Sequence, residues 1–398
     1  MYKFFTCIFA LFFFIACKNN GNSKNQTTDS STENRVQRDN VVIPGINTNF
    51  YKRFDGKLAG QDVVAHMAKF EDKIFFTYYY VSKGMPIGLY AYNEVKLPGD
   101  SVEFLEYNRY NRTYTDKQDD KWHVAITEND IKGKWISGDG KTVHDISLKE
   151  NYPAGSYLFN ITGIADSVKI PVRKDTSTAK SFMMLMEPSD AAVGSWFKNT
   201  LIKTFSGKEA FSGTISQMLE DQTKEYLSSY KAEIDTMLMN NEITDDGRIY
   251  SLNYENSLDA NAIYNDNGYL VMNVGSYMYT GGAHGLEGES VICYDMAGKK
   301  QMQLNDVISV DSTALQKIVE KNFRLHSGIK PGQPLTEILF ENKLQANDNF
   351  YFTNKGLGFI YQPYEVAAYA MGIIYVFIPY EEVKPFINPA FAKRMGIQ

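Results

Sequence analysis

Two hydrophobic periods divide the chain. Between residues 50 and 148, short apolar runs alternate with polar positions and are separated by Gly, Pro, Asn and Asp. These runs are Val63–Phe70, Lys73–Val81, Ile87–Tyr92, Val102–Tyr107, Trp122–Thr127, Ile131–Ile136 and Thr142–Leu148. Period-2 alternation is that of strands buried on one face. In Lys73–Val81, Ile74, Phe76, Tyr78 and Tyr80 share one face, and Phe75, Thr77 and Tyr79 share the other. Many short strands with turn residues between them predict an antiparallel barrel or sandwich. Closure would remove the edges that such aromatic strands expose.

Residues 149–180 read as a connection carrying one or two strands, with Pro153, Gly155 and the polar run Arg173–Lys180. From Ser181 the pattern changes. Phe182–Met186 is strand-like, while Ala191–Phe205 and Glu209–Asn240 have helical spacing. Strands return at Arg248–Glu255, Ile263–Tyr264 and Tyr269–Tyr279, and Asn265-Asp266-Asn267-Gly268 marks a hairpin turn. Val291–Asp295, Phe350–Phe352, Gly358–Tyr361 and Ile373–Ile378 continue as strands, with helices over Ala314–Leu325 and Leu335–Leu344. The expected class is α+β overall. An all-β unit spans 50–148, and a domain with helices packed on an antiparallel sheet spans 181–390.

The first forty residues carry an address. Lys3 is the only charge in residues 1–16, and Phe4 to Ala16 is almost wholly apolar. That is an export-signal pattern, too short for the roughly 20 residues a bilayer span needs. Phe14-Ile15-Ala16-Cys17 resembles the lipobox of bacterial lipoproteins. The resemblance implies cleavage after residue 16, diacylglycerol on the Cys17 thiol, and anchoring to a membrane through that lipid. Residues 18–40 contain no aromatic residue and one aliphatic, Val36, so residues 17–40 are expected to form a disordered tether. Asn19, where Asp would signal inner-membrane retention, turns the expectation toward the outer membrane.

Charge and cysteine content narrow the field. The formal charge is −6, or −7 once Lys3 leaves with the leader, which argues against a nucleic-acid partner. Cys7 leaves with the leader and Cys17 takes lipid, so Cys293 is left without a disulfide partner and reads as a small buried hydrophobe.

Further motifs resemble known families. Tyr51…Gly56-Lys57-Leu58-Ala59-Gly60, Tyr78-Tyr79-Tyr80…Gly84…Ile87…Leu89, Leu105-Glu106 and Gly133-Lys134-Trp135 resemble a calycin-like (lipocalin-like) barrel of Bacteroidetes lipoproteins. Phe76-Thr77 departs from the glycine usual before the aromatic triplet. Gly281-Gly282-Ala283-His284-Gly285, with Tyr364-Glu365…Tyr369-Ala370…Gly372, resembles the C-terminal domain of lysozyme-sensing anti-sigma factor ectodomains. That module also accompanies the catalytic domain of some peptidoglycan deacetylases. Ala368 stands where the family usually has Pro. The resemblance implies envelope recognition, and makes Gly281, Gly282, His284, Gly285, Tyr364, Glu365, Tyr369 and Gly372 the candidate binding residues.

No catalytic or metal constellation is legible, and no cofactor is expected. His284 lacks the companion histidines or cysteines of a metal site. As a general base it would need an orienting carboxylate, Glu287 or Glu365. A plainer role uses both ring nitrogens to hold the glycine turn against the Tyr364–Tyr369 loop. Gly138-Asp139-Gly140-Lys141-Thr142 lacks the earlier glycine of a phosphate loop and reads as a hairpin turn. Asp245-Asp246-Gly247 has turn chemistry without calcium-loop spacing, and Glu381-Glu382 resembles a helix start. The 27 tyrosines suit either strands or a recognition surface. The expectation is therefore a binding module, for a protein (lysozyme-like enzymes included) or a peptidoglycan-related ligand, more than an enzyme. The alternatives are a cell-wall glycan-modifying enzyme using His284 with a carboxylate, and a carrier of a small ligand in the barrel.

Overall fold

The computed structural model describes residues 49–91, 101–107, 119–207, 211–243 and 251–397. Cys17 and the leader and tether lie outside the described residues, as does Asp245-Asp246.

Eight antiparallel strands close into a barrel. They are β1 (Phe50–Leu58), β2 (Gln61–Phe70), β3 (Lys73–Tyr80), β4 (Ile87–Ala91), β5 (Ser101–Tyr107), β6 (Lys121–Ile126), β7 (Asp130–Ile136) and β8 (Val143–Glu150). Each pairs with its neighbour in sequence, and β1 with β8 completes the ring. The interior is filled by its own side chains. Phe54, Met67, Phe104 and Trp122 are fully buried there, and the Phe76 ring meets Phe104 and Trp122 edge-on at 5.2 and 5.5 Å. A small barrel with such large inward residues has its core where a wider one has a lumen.

The alternation read in β3 has a use on both faces. Phe76 and Tyr78 point into the barrel. Phe75 and Tyr79 point out, against Phe182 and Tyr264 of the second domain at ring separations of 6.2 and 6.4 Å. The outer face is thus an interdomain contact, which explains why neither face of the strand is polar.

The second domain's sheet starts at Phe159, upstream of the change of pattern at Ser181. β9 (Phe159–Val172) and β10 (Asp175–Pro188) form a long hairpin, so 149–180 carries sheet strand more than linker. The order of the six-stranded sheet is β14-β13-β12-β11-β10-β9. It uses β11 (Tyr254–Asp266), β12 (Tyr269–Tyr279), β13 (Leu286–Asp295) and the short β14 (Lys300–Gln301). β10 and β11 are parallel, and the other pairs are antiparallel. At the β11–β12 turn Asn267 and Gly268 both have positive φ, 54° and 75°, which suits the strand twist.

Between β10 and β11 lie α1 (Ala191–Phe205), capped by Asp190, and α2 (Ile215–Met239). α2 begins at Ile215, six residues after the expected start at Glu209, because Thr214 is its N-cap and forms a reciprocal capping box with Gln217. α3 (Leu304–Val307) and α4 (Ser312–Ser327) follow β14, and α4 buries Leu315, Val319 and Phe323 at helical spacing. A three-stranded sheet of β15 (Phe350–Phe352), β16 (Gly356–Tyr361) and β17 (Ile374–Pro379) receives that face.

Leu335–Leu344 is not the expected helix. Only Leu335–Glu337 turns, as a 3-10 segment. Tertiary partners replace helical hydrogen bonds: Leu335 N–H donates to Asn342 Oδ1, Leu344 N–H to Glu320 Oε1, and Leu339 bridges to Ala367. Glu381-Glu382 do sit in a helical turn, α5 (Tyr380–Val383), before α6 (Pro389–Met395). Cys293 is buried, its thiol 3.4 Å from the Phe350 carbonyl.

Candidate functional site

The two candidate segments meet at the end of β12 and β13. The chain leaves β12 at Tyr279, turns through Gly281 and Gly282 at φ 90° and 97°, and enters β13 at Leu286. Both angles favour glycine. Tyr279 OH closes the turn by donating to the Gly282 carbonyl at 2.9 Å. Gly285 is needed for closeness: a Cβ there would stand 2.4 Å from the Tyr277 ring.

The opposing loop runs from β16 to β17. Gln362-Pro363-Tyr364-Glu365 is a tight turn closed by Glu365 N–H donating to the Gln362 carbonyl at 3.0 Å. Proline at the second position and positive φ at the third are the marks of a type II turn. The third position, where glycine or asparagine is usual, holds Tyr364 at φ 68°. Its side chain is not packed away, since the residue is 56% exposed. A 3-10 turn over Tyr369–Met371 then ends at Gly372, φ 59°. Ala368 starts this turn as well as a proline would, with ψ 152°.

His284 lies flat on Tyr369, ring centroids 3.9 Å apart and planes 20° from parallel. Tyr364 adjoins Tyr369 at 5.5 Å. The Gly285 carbonyl accepts from Tyr369 OH at 2.8 Å and from His284 Nδ1 at 2.9 Å. Because a carbonyl oxygen only accepts, Nδ1 carries the proton, and a neutral His284 keeps its Nε2 lone pair. His284 is exposed, so one nitrogen holds the turn where two were expected.

Glu365 has a structural task. Its Oε2 accepts from Gln362 N–H at 2.8 Å and its Oε1 from Asn347 Nδ2 at 2.9 Å. Among the described residues neither Glu365 nor Glu287 is hydrogen-bonded to His284. Gln362 and Asn349, which no motif singled out, fasten the loop. Gln362 donates to the Glu289 carbonyl and accepts from its N–H, and Asn349 does the same between the Glu289 carbonyl and Val291 N–H. Two side-chain amides thereby complete the edge of β13 as a strand would.

Electrostatically the site is one-sided. Residues 251–298 and 356–383, which supply it, contain no Lys or Arg, and two acids adjoin it: Glu365 in the Gln362–Glu365 turn and Glu287 beside Gly372.

Residues 305–381 match DUF3298, a family described as protein of unknown function. Residues 202–287 match the family described as deacetylase PdaC. The site draws on both matched stretches: His284 falls within 202–287 and Tyr369 within 305–381. A solved member of the DUF3298 family from Bacteroides fragilis is 18% identical, with 60% of this chain and 98% of that one covered at a TM-score of 0.53. A DUF3298 family protein from Pseudomonas aeruginosa is 15% identical, covering 58% of this chain and 96% of its own at a TM-score of 0.41. The first likeness shows a shared fold. No curated protein matches the chain.

Proposed function

We propose that this protein is a cell-wall-related recognition module, exported and lipid-anchored through Cys17, that binds a basic, lysozyme-like protein with the Tyr364–Tyr369–His284 platform. The observation that carries the reading is Tyr364. A bulky residue in the left-handed region costs on the order of 1–2 kcal/mol, and here that conformation presents an aromatic ring to solvent. Strain kept where it brings no burial points to a use outside the fold. Exposed tyrosines make rigid contact area, and the acidic surroundings suit a cationic partner.

The test is retention of hen-type lysozyme on the immobilised protein, with soluble peptidoglycan fragments in a parallel arm. Saturable binding of lysozyme, weakened at least about tenfold by Tyr364→Ala as for an interface anchor, is expected. Binding of fragments alone would reassign the ligand, and binding of neither would end the proposal. Fatty-acid labelling lost in Cys17→Ser, with recovery in outer-membrane fractions, tests the anchor and its address.

A second reading rests on His284 Nε2, an exposed base whose ring is oriented by Gly285. It makes the platform a hydrolytic site for cell-wall glycan. Acetate or reducing ends released from peptidoglycan, and abolished in a folded His284→Ala variant, would favour it.

A further inference from the structure

One row of the six-stranded sheet runs out from under the barrel and ends beside the platform. Residues directly opposite on paired strands project to the same face. The register aligns Phe182, Ser257, Tyr277 and Glu287 across β10, β11, β12 and β13. At one end the barrel covers Phe182 with the Phe70 and Phe75 rings, at 5.5 and 6.2 Å. At the other end Tyr277 is 36% exposed and Glu287 is exposed. The last two side chains of this row are open to solvent.

They adjoin the platform through two glycines. Gly285 lies between Tyr277 and Tyr369: its carbonyl accepts from the Tyr369 hydroxyl at 2.8 Å, and a Cβ on it would meet the Tyr277 ring at 2.4 Å. Glu287 Oε1 is 3.8 Å from where a Cβ on Gly372 would stand. Burial, Glu255, Tyr369, Tyr279 and Glu287 together raise the Tyr277 pKa, and the two acids make the surroundings of that ring negative. Of the acids at the platform, Glu365 spends both oxygens on its own loop. Among the described residues no group donates to Glu287 and no cation pairs with it. An exposed carboxylate of that kind adds little to the fold, yet it stands beside an exposed ring held against backbone.

A lysine ammonium would meet this carboxylate as a point charge. A guanidinium can do two things at once, since it is planar, lies on an aromatic ring and donates two parallel N–H bonds to one carboxylate. Resting on the reading of the platform as a surface for a basic protein, we propose that the partner's anchor there is an arginine, its plane against Tyr277 and its N–H groups on Glu287.

The probe is hen-type lysozyme passed over the immobilised full chain in about 0.15 M salt, which screens long-range attraction. It is used untreated, with its arginines blocked by phenylglyoxal, and with its lysines acetylated. Arginine blocking should weaken retention at least about tenfold, and lysine acetylation by less than about threefold. Glu287→Gln, at an exposed position, should melt like the parent and bind untreated lysozyme at least about tenfold more weakly. It should also no longer distinguish untreated from arginine-blocked lysozyme, as coupled partners require. Retention unmoved by arginine blocking, an equal loss on acetylation, or parental retention by Glu287→Gln would overturn this proposal and leave the platform reading standing. Failure of untreated lysozyme to bind the parent would end both.

Discussion

Arg53 of the barrel donates from Nε to the backbone carbonyl of Asn265 in the second domain, at 3.2 Å. The guanidinium is 2% exposed. Its Nη1 also donates to Asp55 Oδ1 at 2.6 Å and to the Asn151 carbonyl at 2.9 Å, and its Nη2 reaches Asp266 Oδ2 at 3.4 Å. Asn265 returns the contact, donating from Nδ2 to Tyr51 OH at 3.0 Å. A cation with each nitrogen satisfied across a domain boundary fixes how the two domains sit.

Arg53→Met should therefore cost about 3 kcal/mol, the lower end for removing one member of a buried pair, because Asp55 and Asp266 keep some solvent. Calorimetry should show the single unfolding transition of the parent dividing into two as the domains uncouple. An unshifted single transition would contradict this role.

His66 makes the same interface sensitive to acid. Tyr51 OH, which accepts from Asn265, is hydrogen-bonded to His66 Nδ1 at 2.9 Å. A protonated ring would be a buried charge near Arg53, and burial holds the His66 pKa well below 6.5. The unfolded chain thus binds the proton first. Stability is full above the unfolded value of about 6.5 and falls as pH drops below it, toward the depressed folded value. Urea midpoints between pH 8 and 5 should decline more steeply for the parent than for His66→Asn. Equal slopes would assign the acid sensitivity elsewhere.

Tyr364 separates stability from recognition. Tyr364→Gly relieves the left-handed backbone but adds freedom to the unfolded chain, so stability should change by no more than about 1 kcal/mol, in either direction. Lysozyme retention should nevertheless fall. A large destabilisation would mean that the tyrosine packs more than its exposure implies.

At the platform, His284→Ala should cost less than about 1.5 kcal/mol, the scale of one aromatic stack. Tyr369→Phe, which removes the hydroxyl donated to Gly285, should cost about 1 kcal/mol. Thermal melts of the two variants and of their combination measure both terms. The sum should not be additive, since the rings touch.

Much of this architecture was legible because local chemistry decides it. Alternation located β2 to β8 but not β1 (Phe50–Leu58), Asn267-Gly268 announced its turn, and Gly281 and Gly282 announced theirs. Leu335–Leu344 misled because its apolar spacing suits a helix while Asn342, Glu320 and Ala367 supply other partners. The early strands of the second sheet were read as one or two strands within a connection, and not as a long hairpin, because β9 is an edge strand with many exposed polar positions. The site residues were visible as motifs, but the contact of His284 with Tyr369 joins positions 85 apart. Arg53 and Gln362 gave no signal, since only the fold brings the Asn265 carbonyl and Asp266 to the first and the Glu289 backbone to the second.

The parallel register of β10 with β11 also sets an order of assembly. Every barrel hairpin can form as its two strands appear, and one long closure by β8 finishes the ring. β10 has no such neighbour on its inner side and must wait, with Met184 and Met186 uncovered, until two helices have been made and β11 arrives. Refolding should accordingly be led by the barrel and finished by the slower non-local pairing, so the second domain is where a crowded or hurried chain would go astray.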